Sequence, residues 1–284
     1  MTGEQVAAAA QLACLLEVSA PKPGTVSPGR DFHDTRYEDF LASAVAIGPA
    51  LAGAGERPLG ATIRAAVEAT ARWTRSNTNL GIVLLLAPLA RAARMARTGG
   101  GALRGGLTRV LADSTVADAA ETYAAIRLAR PGGLGQAAAE DVMAPPTVTL
   151  RDAMALAAGR DGVAREYATD FALTFEVGAP ALRAARHAGL SWAEATVEGY
   201  LGLLAEHPDT HIARKLGREE AERVSARAAA VRGAGGVRTP AGREALAAFD
   251  LELRDPRNAR NPGTTADLTC AALFVVILEY GWHS

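Results

Sequence analysis

Apolar residues recur every three or four positions through segment after segment of this chain, while alternating β-branched runs bounded by hairpin turns are hard to find. Such a chain buries its apolar stripes by packing helix against helix. The spacing predicts helices over 4–18, 36–53, 58–75, 79–97, 103–112, 115–129, 149–157, 161–188, 191–206, 210–231, 239–253 and 264–281. The expected fold is all-α, a single-domain multi-helix bundle over residues 1–284.

Glycine and proline punctuate the pattern at Pro21-Lys22-Pro23-Gly24, Gly99-Gly100-Gly101, Pro131-Gly132-Gly133-Leu134-Gly135, Ala144-Pro145-Pro146, Gly233-Ala234-Gly235-Gly236 and Asn261-Pro262-Gly263. None of these breaks is long enough for a domain linker, and no repeat of solenoid period runs through the chain. Hydrophobic residues make up 49% of the total, ample for one core. The 30 basic and 31 acidic side chains nearly cancel, so no long-range field draws nucleic acid or an anionic membrane, and any phosphate binding must be local.

Cys14 and Cys270 each lie in an apolar stretch, which suits reduced core thiols in a reducing compartment. The N-terminus lacks the basic region of a secretory signal, so a cytoplasmic location is expected. The apolar stretches Leu80 to Ala90 and Leu268 to Leu278 fall short of the roughly 20 residues that cross a bilayer, so neither is expected to span one. Histidines His33, His187, His207, His211 and His283 are scattered, which argues against zinc, and no Walker loop, dinucleotide fingerprint or hydrolase elbow is present.

Four segments could carry chemistry. Glu17, the Lys22 loop, His33, Asp34 and Asp39 fall in a long proline-stiffened stretch, though from spacing alone wet carboxylates and a helix-start aspartate are the better account. Asn77-Thr78-Asn79-Leu80-Gly81 precedes a strongly apolar helix, either as a simple cap or as buried amide donors for an anion. Asp209 to Gly217 reads as a capped short helix, or as an Arg214 and Lys215 phosphate clamp with Asp209 in a magnesium-holding carboxylate cluster. In Asn261 to Leu268, Gly263 permits close backbone approach, and Asp267 enters a nearly uncharged helix where a buried carboxylate wants a metal or cation.

Taken in order, these motifs resemble the triphosphoribosyl-dephospho-CoA synthase (ATP:dephospho-CoA triphosphoribosyl transferase) family from about Glu17 to Leu278. Asn261 to Leu268 is similar to its Ser-Pro-Gly-Gly-Ser-Ala-Asp-Leu signature and Asn77 to Gly81 to its Asn-Thr-His-Lys-Gly. Asn79 and Leu80 depart from the second, and Pro131 to Gly135 and the Asp209 segment look closer to a divergent branch found in archaea and methylotrophs.

The resemblance implies transfer of a 5-triphosphoribosyl group from ATP to the ribose 2′-hydroxyl of 3′-dephospho-CoA, or a related acceptor, with release of adenine. Small-molecule nucleotides are then the partners, a homo-oligomer being compatible, with no nucleic acid and no membrane. On that reading ATP is the co-substrate and Mg2+ the cofactor, held by Asp34, Asp209 and Asp267. Lys22, Asn77, Thr78, Asn79, Arg214, Lys215, Gly263, Thr264 and Thr265 bind the triphosphate, and Glu17 and His33 share acid and base roles. Alanine at Asp267 or Lys22 is expected to abolish turnover and spare stability. The rivals are a magnesium-dependent nucleotide or N-glycoside hydrolase and a helical nucleotide-binding protein without catalysis.

Overall fold

Helix α1 (Gly3–Ser19) opens with a capping box in which Thr2 and Gln5 exchange side-chain-to-backbone hydrogen bonds. In this computed structural model, which describes residues 1–95, 102–133 and 135–282, helix follows helix and no strand occurs among the described residues. They are α2 (Tyr37–Ala46), α3 (Gly48–Ala52), α4 (Leu59–Ala71), α5 (Leu80–Met95), α6 (Ala102–Ala112), α7 (Val116–Ala129) and α8 (Leu150–Ala157). There follow α9 (Gly162–Ala168), a π-helical turn (Thr174–Gly178), α10 (Ala179–His187), α11 (Trp192–Glu206) and α12 (Thr210–Leu216). The chain ends with α13 (Arg218–Gly233), a 3-10 turn (Gly236–Arg238), α14 (Pro240–Leu253) and α15 (Gly263–Tyr280). The Gly99-Gly100-Gly101 break, the end of the expected 79–97 helix, Leu134 and His283 lie outside the described residues.

The all-α expectation therefore holds, but three expected helices are each divided. Pro49 has no amide to extend α2, so the 36–53 segment restarts as α3. The 210–231 segment breaks at Gly217, whose φ of 93° suits glycine. The 161–188 segment breaks at Asp170 and Phe171, both left-handed with φ of 51° and 59°. Glu166, wholly buried, holds that bend by accepting the amides of Leu173 at 3.0 Å and Thr174 at 2.9 Å.

Helix α15 runs through the main core against α1, α5, α11 and the π turn, and a second apolar cluster unites α11, α13 and α14. By length and composition α15 could cross a membrane, beyond what the Leu268 to Leu278 stretch suggested, but 67% of it is buried inside the protein. Cys14 and Cys270 meet in this core as free thiols, sulfurs 3.7 Å apart. Pro88 inside α5 cannot donate to the carbonyl of Leu84, and the buried Tyr167 hydroxyl donates to that oxygen instead, at 2.6 Å. That bond ties α9 to α5 at the floor of the cavity described next.

Candidate active site

Four helices begin around one cavity: α5, α9, α12 and α15. Asp161 caps α9 by accepting the amide of Ala164 at 2.9 Å. Asp209 caps α12, accepting the amides of His211 at 2.8 Å and Ile212 at 3.0 Å, and its other oxygen accepts the amide and hydroxyl of Thr265 at 2.7 and 2.8 Å. Thr210 completes the knot: its hydroxyl accepts the amide of Gly162 at 3.0 Å and meets the hydroxyl of Thr264 at 3.0 Å. Capping chemistry that is local in sequence thus locks three distant helix starts together.

The cavity has two chambers. The more polar one, of about 110 Å3, is lined by Glu17, Asn77, Asn261 and Asp267 together with Val18, Phe32 and Phe40. An apolar one of about 260 Å3 is walled by Leu84, Tyr123, Ile126, Leu150 and Met154. Asn77, Leu80, Gly81, His211 and Asp267 line both, and so form the neck between them. Asn77 caps α5 by accepting the amide of Leu80 at 3.1 Å. Gly81 and Ile82, whose amides precede the first intrahelical bond of that helix, line the polar chamber.

Asp267 stands at the neck with its carboxylate against bare backbone: a methyl group on Gly81 would fall 2.0 Å from Oδ2. No hydrogen bond from a described residue reaches that carboxylate. Burial, then the charges of Glu17, Asp209 and Asp161, push its carboxyl well above the usual range, with Arg214 pulling the other way. His211 fits the opposite side because Gly263 has no side chain; a methyl there would fall 2.3 Å from its Nδ1. Burial, then Lys215 and Arg214, push this imidazole down to about 3, so it is neutral at neutral pH.

Several residues singled out by the sequence stand elsewhere. Lys22 is sealed behind Glu17, its Nζ 2.9 Å from Oε1 and also donating to the carbonyls of Glu17 and Ala20. It does not line the chambers and serves as the counter-charge to Glu17, a correction to its expected place on the triphosphate. Asp209 accepts four hydrogen bonds, which occupy the lone-pair directions a metal would need. His33 and Asp34 are exposed, with His33 Nδ1 3.0 Å from the Asn258 amide nitrogen and Nε2 3.8 Å from Asp34. The exposed Lys215 reaches the Asn258 carbonyl at 3.4 Å on the same surface.

The cluster of Asp34, Asp209 and Asp267 is therefore not formed. Among the described residues no three His, Cys, Asp or Glu side chains converge on a metal position. Thr78 and Asn79 are buried and hold their own loop, Thr78 with Ser43 at 2.5 Å and Asn79 with Thr70 at 3.0 Å. Arg214 walls the apolar chamber, paired to Asp161 at 2.6 Å. His211 and the apolar chamber escaped the sequence reading. His211 sits two residues after a helix-capping aspartate, which is a usable signal, whereas the chamber gathers residues from four helices distant in sequence, α5, α7, α8 and α9.

Known proteins share this architecture. The family model described as ATP:dephospho-CoA triphosphoribosyl transferase matches residues 3–284. A protein of Stutzerimonas stutzeri is 37% identical over 113 residues, 39% of this chain and 38% of its own length. One of Pseudomonas fluorescens is 32% identical over 142 residues, 50% of this chain and 48% of its own. Both are provisionally named 2-(5''-triphosphoribosyl)-3'-dephosphocoenzyme-A synthases, and the matched segments span less than half of either. A crystal structure from Archaeoglobus fulgidus, with the provisional name triphosphoribosyl-dephospho-CoA synthase, superposes with a TM-score of 0.67 at 28% identity, covering 85% of this chain and all of that one. A match running from residue 3 to the last residue, on a fold shared with that structure, means that the chain belongs to the ATP:dephospho-CoA triphosphoribosyl transferase family.

Proposed function

We propose that this protein transfers the 5-triphosphoribosyl group of ATP to the 2′-hydroxyl of 3′-dephospho-CoA, or a closely related acceptor, releasing adenine. The observation that carries the reading is the Asp267 carboxylate, which no hydrogen bond from a described residue reaches, at the neck between a polar and an apolar chamber. A nucleoside triphosphate has the same two-part character. Its phosphates suit the polar chamber, where the start of α5 offers backbone donors, and its base suits the apolar one. The sugar carbon then lies at the neck, where substitution through an oxocarbenium-like transition state gains from nearby negative charge.

Magnesium fits this donor set. Asp267 is a carboxylate that no hydrogen bond from a described residue reaches, and Glu17 lines the same chamber, so a divalent cation would find oxygen donors there. Asp267 would hold the ion, with Glu17 across the same chamber as the second carboxylate. When bound, the ion neutralises triphosphate charge. The protein's own part is to orient: Asn77 fixes the start of α5, Asp209 and Thr210 fix the starts of α12 and α15, and Lys22 steadies Glu17.

The test is incubation with ATP, Mg2+ and 3′-dephospho-CoA, with adenine followed by chromatography and the acceptor by mass. Acceptor-dependent adenine release and a triphosphoribosyl mass gain are expected. Adenine or phosphate released without acceptor would make the protein a hydrolase, and ATP binding without turnover a nucleotide-binding protein.

A further inference from the structure

We propose that His211 is a catalytic residue that moves the proton between the two substrates, a role that rests on the transferase reading above. The reaction forms a C1′–O bond and breaks the C1′–N bond, whose electron pair leaves with the base. The acceptor hydroxyl must lose one proton and the departing base must gain one. A neutral imidazole does both without net change, accepting at one ring nitrogen while donating from the other.

Position singles out His211 for this. Among the described residues it is the only histidine lining either chamber, and it lines both, so it faces the base on one side and the phosphate chamber on the other. Its backbone amide is held by Asp209 at 2.8 Å, which fixes the turn that carries it. No hydrogen bond from a described residue occupies its ring nitrogens. Gly263 leaves the space the ring fills, since any side chain there would collide with Nδ1. The two groups put forward from the sequence as acid and base are engaged elsewhere: Glu17 with Lys22, and His33 with Asn258 on the exposed loop.

The experiment compares wild type, His211→Ala and His211→Asn with ATP, Mg2+ and 3′-dephospho-CoA, measuring adenine release, ATP affinity by calorimetry and folding by circular dichroism. Both variants should fold and lose at least about a hundredfold in kcat, with ATP affinity held within about threefold. Added imidazole should restore turnover to His211→Ala in proportion to its concentration, and not to His211→Asn, whose side chain fills the space. A folded His211→Ala protein that keeps more than about a tenth of kcat, or that loses turnover and is not rescued, overturns the role. Wild-type protein that releases no adenine overturns the transferase reading itself, so the two failures are distinct.

Discussion

Lys22 Nζ and Glu17 Oε1 lie 2.9 Å apart with both side chains sealed from solvent, yet the same glutamate lines the polar chamber. The pair therefore couples stability to the site. Removing one partner strands a buried charge, which costs about 3 to 5 kcal/mol. Lys22→Met should lower unfolding free energy by that amount in urea, contrary to the expectation that a substitution at Lys22 spares stability. The double variant Glu17→Leu, Lys22→Met should regain most of the stability and none of the turnover. A Lys22→Met protein as stable as wild type would show that the ion pair is not what holds this loop.

Gly81→Ala places a methyl group 2.0 Å from Asp267 Oδ2. Alanine is otherwise the better helix former by about 1 kcal/mol, so the fold should survive. Adenine release should fall at least about a hundredfold because the carboxylate must leave the neck. Near-normal turnover in a folded variant would mean that Asp267 can act from another rotamer.

How much of this was readable beforehand follows from which interactions are local. Helical spacing and caps act within a few residues, so the all-α fold and the helix starts at Asn77, Asp209 and Gly263 were legible. The Pro49 and Gly217 breaks were legible in principle, because each residue carries its own conformational restriction. The bend at Asp170 was not, since it depends on Glu166 being buried. Nor could spacing show that Lys22 turns inward, that Asp209 spends its lone pairs on Thr265, fifty-six positions away, or that His33 and Asp34 face solvent. Those outcomes depend on which helix ends meet in space.

In metal-free buffer the raised Asp267 carboxyl makes a pH prediction. Its folded value lies well above the ordinary 3.8, so the folded state binds the proton more tightly than the unfolded chain. Its contribution to stability is fully present below the unfolded value and is lost as pH rises through the raised folded value. Asp267→Asn carries no such loss, so it should be more stable than wild type at about pH 8, the gap closing as the pH falls toward about 4. Adding ATP and Mg2+ should then raise the melting temperature of wild type but not of the variant. Equal pH profiles for the two proteins would remove Asp267 from the low-dielectric neck.

Asp209→Asn separates a clamp from a ligand. The amide oxygen can serve some of the four donors that the carboxylate now accepts, but its nitrogen brings a donor against the rest. The loss should be about 2 to 4 kcal/mol of stability, from a helix cap and buried hydrogen bonds to a charged acceptor. Turnover should fall because the starts of α12 and α15, which carry His211 and Asp267, are no longer pinned together. The magnesium concentration for half-maximal rate should nonetheless stay within about twofold of wild type, since no lone pair of Asp209 is left for the ion. A shift of about tenfold or more would return Asp209 to the metal shell and require its bonds to Thr265 to open on binding.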